Sequence, residues 1–313
     1  MNLSERIEAK KGVLWWDIYD ILKSKKPKFL LLENVDRLLK SPSSQRGRDF
    51  GVMLKCLNEL GYLVEWRVIN AAEYGHPQRR RRTFIFGARK DTTYTKKTMT
   101  SNKEFLKDGF FSKQFKVSDE HSIEEKYYLS EFKDIKEISD NFLARFENAG
   151  FMNLSGEITT IKSKPLEKKG KTLRETITET KAEIPEIVFI NENLEKWQYM
   201  KGAKKITRKA KNGHTYNYAE GAIAFPDKLE SPSRTMLTSE GTLNRSTHVV
   251  KDPQSGRLRL LMPEECEELN EFPRGWTNCE MPNRWRYFMM GNALVVGVVE
   301  KLGITLDKLT EQD

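Results

Sequence analysis

Cysteine is scarce in this chain. There are three among 313 residues, Cys56, Cys266 and Cys279, odd in number and far apart. That spacing excludes a disulfide framework and the paired-cysteine patterns that hold structural zinc. It fits a reducing, cytoplasmic setting. Long apolar runs are also missing, so no segment reads as a bilayer span and no membrane partner is expected. The opening Met1-Asn2-Leu3-Ser4-Glu5-Arg6 is charged and has no apolar stretch, unlike a secretory signal. No internal repeat is present, which sets aside the solenoid architectures.

What is there suits a folded domain. Hydrophobic residues make up 38% and charged residues 32%, and the length fits one large domain or two modest ones. A net charge of +9 favours a polyanion such as nucleic acid as partner, although many basic proteins bind nothing anionic.

The patterning of the first 95 residues predicts an α/β sheet. Leu14, Ile18, Ile21 and Leu22 fall on one helical face, and Pro27 ends that helix. Lys28-Phe29-Leu30-Leu31-Leu32 then reads as a buried strand of a parallel sheet. Phe50, Leu54, Leu57 and Leu60 mark a second helix, stopped by Gly61. Strands are expected at 62–70 and 83–87. From about residue 96 Lys, Glu, Ser and Thr dominate, with short strands and loops expected up to about 250. Helices are expected again at 263–270 and 293–302. Val295, Val298, Val299 and Leu302 would face inward in the last one, with Gly291 and Asn292 at its start. The organisation expected is thus 1–95, 96–250 and 251–313.

Two short stretches carry chemistry. Glu33-Asn34-Val35 follows the first predicted strand. A carboxylate there can be partly desolvated and exchange a proton with a ring nitrogen, or the segment can simply cap the next turn. Gln78-Arg79-Arg80-Arg81-Arg82 leads into an apolar strand. On an extended chain Arg80 and Arg82 share one face, and Arg79 and Arg81 share the other. A guanidinium offers several directed donors to oxygen acceptors, while a run of arginines can equally be a solvated surface.

In order and spacing, Leu30-Leu31-Leu32-Glu33-Asn34-Val35 and Asn70 through Ile85, with its Gln-x-Arg-x-Arg pattern, resemble the cytosine-5 DNA methyltransferase family. So do Pro232-Ser233-Arg234-Thr235, Arg257 through Glu265, and Gly291-Asn292-Ala293-Leu294-Val295-Val296. The resemblance runs from about Leu14 to Gly303. It implies a Rossmann-like methyltransferase sheet with a loop-rich target-recognition lobe at 96–250, and a return segment that packs on the catalytic domain. It implies double-stranded DNA as substrate, S-adenosylmethionine as methyl donor and a restriction–modification setting. By resemblance Glu33 contacts ring nitrogen 3 and the exocyclic amine of an extruded cytosine. Arg82 contacts its carbonyl oxygen with support from Arg80, and Gln78 and Asn34 hold the arrangement. Asn292, Ala293 and Leu294 touch the cofactor.

The family's glycine-rich Phe-x-Gly-x-Gly turn and its Pro-Cys loop are absent from these 313 residues, and the sheet is expected to be incomplete. Two expectations follow. The chain acts with a second polypeptide that supplies both features, or it is a catalytically inactive DNA-binding fragment. Cys56, inside a predicted helix, and Cys266 and Cys279, beyond the recognition lobe, read as poor substitutes for the nucleophile. Within the matched part, Met262 and Glu264 stand where the family pattern has Thr and Arg, which bears on how the lobe is anchored. Gly213-His214-Thr215-Tyr216-Asn217-Tyr218 is expected to be a base-reading loop or an ordinary turn with aromatics beneath it.

Overall fold

The computed structural model describes residues 13–97, 104–120, 124–179, 184–209, 213 and 215–313. His214 lies outside the described residues. The chain divides into two compact units. The first comprises Met1–Asn70, Arg81–Leu166 and Glu300–Asp313, and the second Ala71–Arg80 and Glu167–Val299.

The first unit is built on a six-stranded sheet. Its strands are β1 (Phe29–Val35), β2 (Tyr62–Asn70), β3 (Arg81–Arg89), β4 (Glu124–Tyr128), β5 (Ala149–Met152) and β6 (Glu157–Ile161), in spatial order β1-β3-β2-β5-β6-β4. Every neighbouring pair is antiparallel. β1 and β2 run the same way because β3 lies between them and opposes both. The expectation of a buried, parallel-paired first strand is therefore corrected. Among the described residues β1 is an edge strand hydrogen-bonded on one side only, and Leu30 is its one buried residue. The boundary expected at 95/96 is corrected too: β4, β5 and β6 belong to the same sheet as β1–β3.

Helix α1 (Val13–Lys25) ends where Lys26 turns to a positive φ before Pro27. The face expected to be inward was Leu14, Ile18, Ile21 and Leu22. Instead Trp15, Ile18, Tyr19 and Leu22 pack against the core, at i, i+3, i+4 and i+7. Leu14 (66% exposed) and Ile21 (60%) stay in solvent. Helix α2 (Arg48–Glu59) buries Phe50, Leu54, Cys56 and Leu57. The rings of Phe50, Trp66 and Phe146 meet edge-to-face, with centroids 4.9–5.6 Å apart, and centre this core. Gly150 is opposite Trp66 on β5, where a Cβ would fall 1.8 Å from the indole, so no side chain fits.

The second unit has shorter elements: α4 (Leu173–Glu179), α5 (Leu194–Lys201), the ribbon β7 (Lys204–Lys209) and β8 (Thr215–Glu220), the pair β9 (Val249–Lys251) and β10 (Leu258–Leu260), α6 (Pro263–Leu269) and α7 (Asn283–Asn292). The earlier α3 (Ile135–Asn141) belongs to the first unit. Helix α8 (Val296–Thr310) begins in the second unit and ends in the first. Gly291 and Asn292 were expected to open the final helix and present backbone donors. They instead close α7, and α8 starts at Val296, so the Asn292 end of α7 carries carbonyl acceptors.

Candidate active site

Strands β1 and β3 bring two of the expected residues together. In the ladder Glu33 faces Phe84 and Val35 faces Arg82, which makes Glu33 and Arg82 diagonal neighbours on one face. Arg82 Nε lies 2.8 Å from Glu33 Oε1, with the arginine side chain 16% and the glutamate 32% exposed. Arg82 Nη1 also donates to the carbonyl of Arg81, at 2.8 Å. The carboxylate and guanidinium are thus held together at the end of a strand and remain open to solvent. Asn34 points to the other face. Its Oδ1 accepts the backbone N–H of Val35 at 2.8 Å, just before the 3-10 turn Asp36–Lys40. Its visible work is to shape the strand's exit.

The arginine run alternates as an extended chain requires: Arg79 is exposed, Arg80 buried, Arg81 exposed and Arg82 half-buried. Arg80 and Gln78, both in the second unit, meet the protein backbone. Arg80 Nη2 donates to the carbonyl of Gly291 (2.9 Å) and Nη1 to that of Met236 (3.2 Å). Gln78 Nε2 donates to Asn270 Oδ1 (3.0 Å) and to the Leu269 carbonyl (3.3 Å), while its Oε1 accepts from Met236 N. Asn270, fully buried, donates onward to the Met290 carbonyl at 2.9 Å. Four chain segments distant in sequence are tied by this one knot. Sequence reasoning did not single out Asn270 or Met236, because nothing local marks a residue whose partner lies 192 or 158 positions away. His76, whose Nδ1 is 2.9 Å from both carboxylate oxygens of Glu271, was missed for the same reason.

The changed residues of the 257–265 segment have a structural account. Arg259 is fully buried and meets Glu265 through two bonds of 2.8 Å and Asp252 through one of 2.9 Å. Glu264, standing where the pattern has Arg, receives Arg286 at 2.8 Å, and Arg286 also holds Glu267. The buried Met262 leads into α6, and its backbone N–H is capped by Glu265.

The two buried cysteines do not sit in activating settings. Burial pushes the Cys56 thiol up to about 12, and it pushes Cys266 well above the usual range with four nearby glutamates adding to the shift. Both move away from the thiolate that nucleophilic attack needs. Cys279 is exposed and makes a 3.7 Å contact to the Thr277 carbonyl. Among the described residues no cluster of His, Cys, Asp and Glu has a metal-binding arrangement, and no single helix is long and apolar enough to cross a membrane. A cavity of about 310 Å3 in the second unit is lined by Arg79, Lys228, Arg234, Ser231, Ser233 and Asp227. Arg234 is committed to Asp227 through bonds of 2.6 and 3.1 Å, so Arg79 and Lys228 supply its net positive charge.

Residues 3–308 match the family model of the C-5 cytosine-specific DNA methylases. The chain belongs to this family. It is 48% identical over 306 residues to the type II methyltransferase M.Sau3AI of Staphylococcus aureus, an alignment covering 97% of this chain and 73% of that protein. It is 24% identical over 343 residues to the orphan methyltransferase M.SPRI of Bacillus phage SPR, covering 94% and 76%. Among solved structures it is similar in fold to Dnmt2 of S. pombe (TM-score 0.52, 14% identity, 93% of this chain and 70% of that one). It is similar also to EhMeth of Entamoeba histolytica (TM-score 0.51, 12% identity, 94% and 69%). The C-5 cytosine methylases use S-adenosylmethionine as methyl donor.

Proposed function

We propose that this chain supplies the base-holding and DNA-reading parts of a DNA (cytosine-5-)-methyltransferase in a cytoplasmic restriction–modification system. The observation that carries the reading is the Glu33–Arg82 pair held where β1 and β3 meet. Cytosine is a weak electrophile, and charge that builds on the ring during attack must be met by a proton donor and a cation in a site that excludes water. Glu33 exchanges a proton with ring nitrogen 3 and accepts from the exocyclic amine. Arg82 donates to the carbonyl oxygen beside it. The target carbon is unreachable within a duplex, so the base is extruded to meet them. Arg80 and Gln78 act at one remove, by fixing the segment that feeds Arg82 into β3. Arg79 and Lys228, at the mouth of the second unit's cavity, suit DNA phosphates. Target recognition falls to the second unit's residues 167–250.

S-adenosylmethionine, when bound, supplies the methyl group. Ala293 and Leu294 are half-buried and offer apolar contact, and Asn292 is exposed with its amide returned to the Phe288 carbonyl at 3.2 Å. These residues fit one wall of a cofactor site and not a whole cradle. With the cysteine settings above, this supports the reading that methyl transfer needs a second polypeptide with the glycine-rich turn and the nucleophilic cysteine. Leu14 and Ile21 on α1, Val35 on β1 and the unpaired edge of β1 offer a surface that such a partner would cover. The alternative, a DNA-binding fragment without catalysis, rests on the same cysteines but gives no reason for Glu33 and Arg82 to remain paired.

The test is to purify the chain alone and with an amino-terminal partner, then follow transfer of labelled methyl groups to DNA. Only the pair is expected to work, and methyl transfer by the isolated chain would refute the two-polypeptide reading. In the pair, Glu33→Ala and Arg82→Ala are each expected to lower turnover by about 100-fold or more. If methylation survives both, the role assignments are wrong.

A further inference from the structure

The β7–β8 ribbon of the second unit has two unlike faces. Its register pairs Lys204 with Glu220, Ile206 with Tyr218 and Arg208 with Tyr216 on one face. Lys205 pairs with Ala219, Thr207 with Asn217 and Lys209 with Thr215 on the other. The first face is occupied with itself. The Arg208 guanidinium lies 3.7 Å from the centre of the Tyr218 ring, the Tyr218 hydroxyl donates to Glu220, and Lys204 Nζ sits 4.4 Å over Tyr199. On the second face all six residues are exposed. The ribbon's root is held where its face is free. Arg245 Nη1 donates to the carbonyls of Met200 (2.7 Å) and Gly202 (3.0 Å), its Nη2 donates to that of Gly221, and Ile223 N donates to the Lys201 carbonyl at 2.8 Å. The two chain segments at the ribbon's root are thus clasped together, while its second face is bare.

Resting on the DNA-methyltransferase reading, we propose that this face enters the DNA major groove, with Asn217 and Thr207 reading an adenine and Lys205 and Lys209 on flanking phosphates. A two-stranded ribbon fits the major groove. Residues two apart on a strand are about 6.7 Å apart, so Lys205 and Lys209 flank Thr207 on either side, one near each end of the strand. The Asn217 amide carries a donor and an acceptor in one plane, the match for N6 and N7 of adenine. In the free protein Thr207 Oγ1 donates to Asn217 Oδ1 at 3.2 Å, which orders the amide before DNA arrives. Charge complementarity names the occupant: this face carries Lys205 and Lys209 and no carboxylate among its six residues. Lysines also guard free strand edges against pairing with other chains. That role needs their charge and makes no use of the Thr207–Asn217 pair, which separates the two explanations.

The experiment selects duplexes with the full chain from a library whose central eight base pairs are randomised, then sequences the bound pool. The parent chain is expected to enrich sequences with one fixed A·T pair. Thr207→Val with Asn217→Ala is expected to lose the preference at that pair and to bind the enriched duplex about 10-fold or more weakly, with an unchanged melting curve. Replacing that adenine by 7-deazaadenine should weaken the parent and leave the double variant unaffected. Lys205→Ala and Lys209→Ala should weaken all duplexes alike, each lowering the salt slope by about one. A double variant that enriches the same sequence as the parent overturns the proposal, as does a parent that enriches none. Methyl transfer by the reconstituted pair reads the catalytic assignment separately, so either can fail without the other.

Discussion

The interiors of the two units are built differently. Around β2 and α2 the first unit packs Phe50, Trp66, Phe142 and Phe146 into a continuous apolar core. The second unit adds buried charges to a smaller apolar cluster around Met236, Leu261 and Leu269. Arg259 with Asp252 and Glu265, Arg286 with Glu264 and Glu267, Arg234 with Asp227, and His248 with Glu240 lie largely out of water. The lengths of the elements explain the contrast. Strands of seven and nine residues satisfy their own backbone groups and leave side chains free to pack. Strands of three residues and long connections leave carbonyls and amides that only directed side-chain donors and acceptors can meet. Apolar area dominates the first unit, while in the second a smaller apolar cluster around Met236, Leu261 and Leu269 is joined by matched buried ion pairs.

The sharpest way to break that contrast is Arg259→Ala. It strands two buried carboxylates, and a loss of about 3–5 kcal/mol is expected by denaturant unfolding. Phe146→Ala should cost about the same, about 3–5 kcal/mol, through a cavity. The difference lies in rescue. Adding Asp252→Asn and Glu265→Gln should recover part of the Arg259→Ala loss, whereas no polar change recovers Phe146→Ala. Equal failure of rescue in both would mean the units are held alike.

A buried charged group of the first unit makes a smaller test. Glu65 on β2 is fully buried, accepts from the Tyr94 hydroxyl and from Phe110 N at 3.0 Å, and is pushed up to about 7 chiefly by burial. Its folded pKa is above its ordinary value of 4.5. The stability it contributes is therefore complete below that value and is lost as pH rises through about 7. Glu65→Gln should raise Tm by a few degrees at pH 8 and leave it level or lower at pH 4. A pH-independent effect would show that the carboxyl does not change its charge on this interval. Smallest of all, Arg81→Ala removes a 3.3 Å pair with Asp36 in which both side chains are about half exposed. It should shift stability by no more than about 0.5 kcal/mol.

Much of the first unit was legible because its patterns are local. The strand at 62–70 and the helices near 13–25 and 48–59 follow from periodicity and from the stops at Pro27 and Gly61. The face of α1 was misjudged because Trp15 and Tyr19 compete with Leu14 and Ile21 for the same core, and packing chose the larger rings. The alternation of Arg79 through Arg82 was readable from an extended backbone alone. That Arg80 would bond to the carbonyls of Met236 and Gly291 was not, since those lie 156 and 211 residues further on.

By itself the sequence determined the kind of chemistry, because ordered motifs at Glu33, Gln78–Arg82 and Gly291–Leu294 name a family regardless of how the intervening chain is packed. Only the tertiary structure decided that Arg82 meets the carboxylate directly while Arg80 turns to the carbonyls of Met236 and Gly291. That choice depends on strand register, and a two-residue diagonal between β1 and β3 is set by pairing across the sheet, which no run of neighbouring residues encodes.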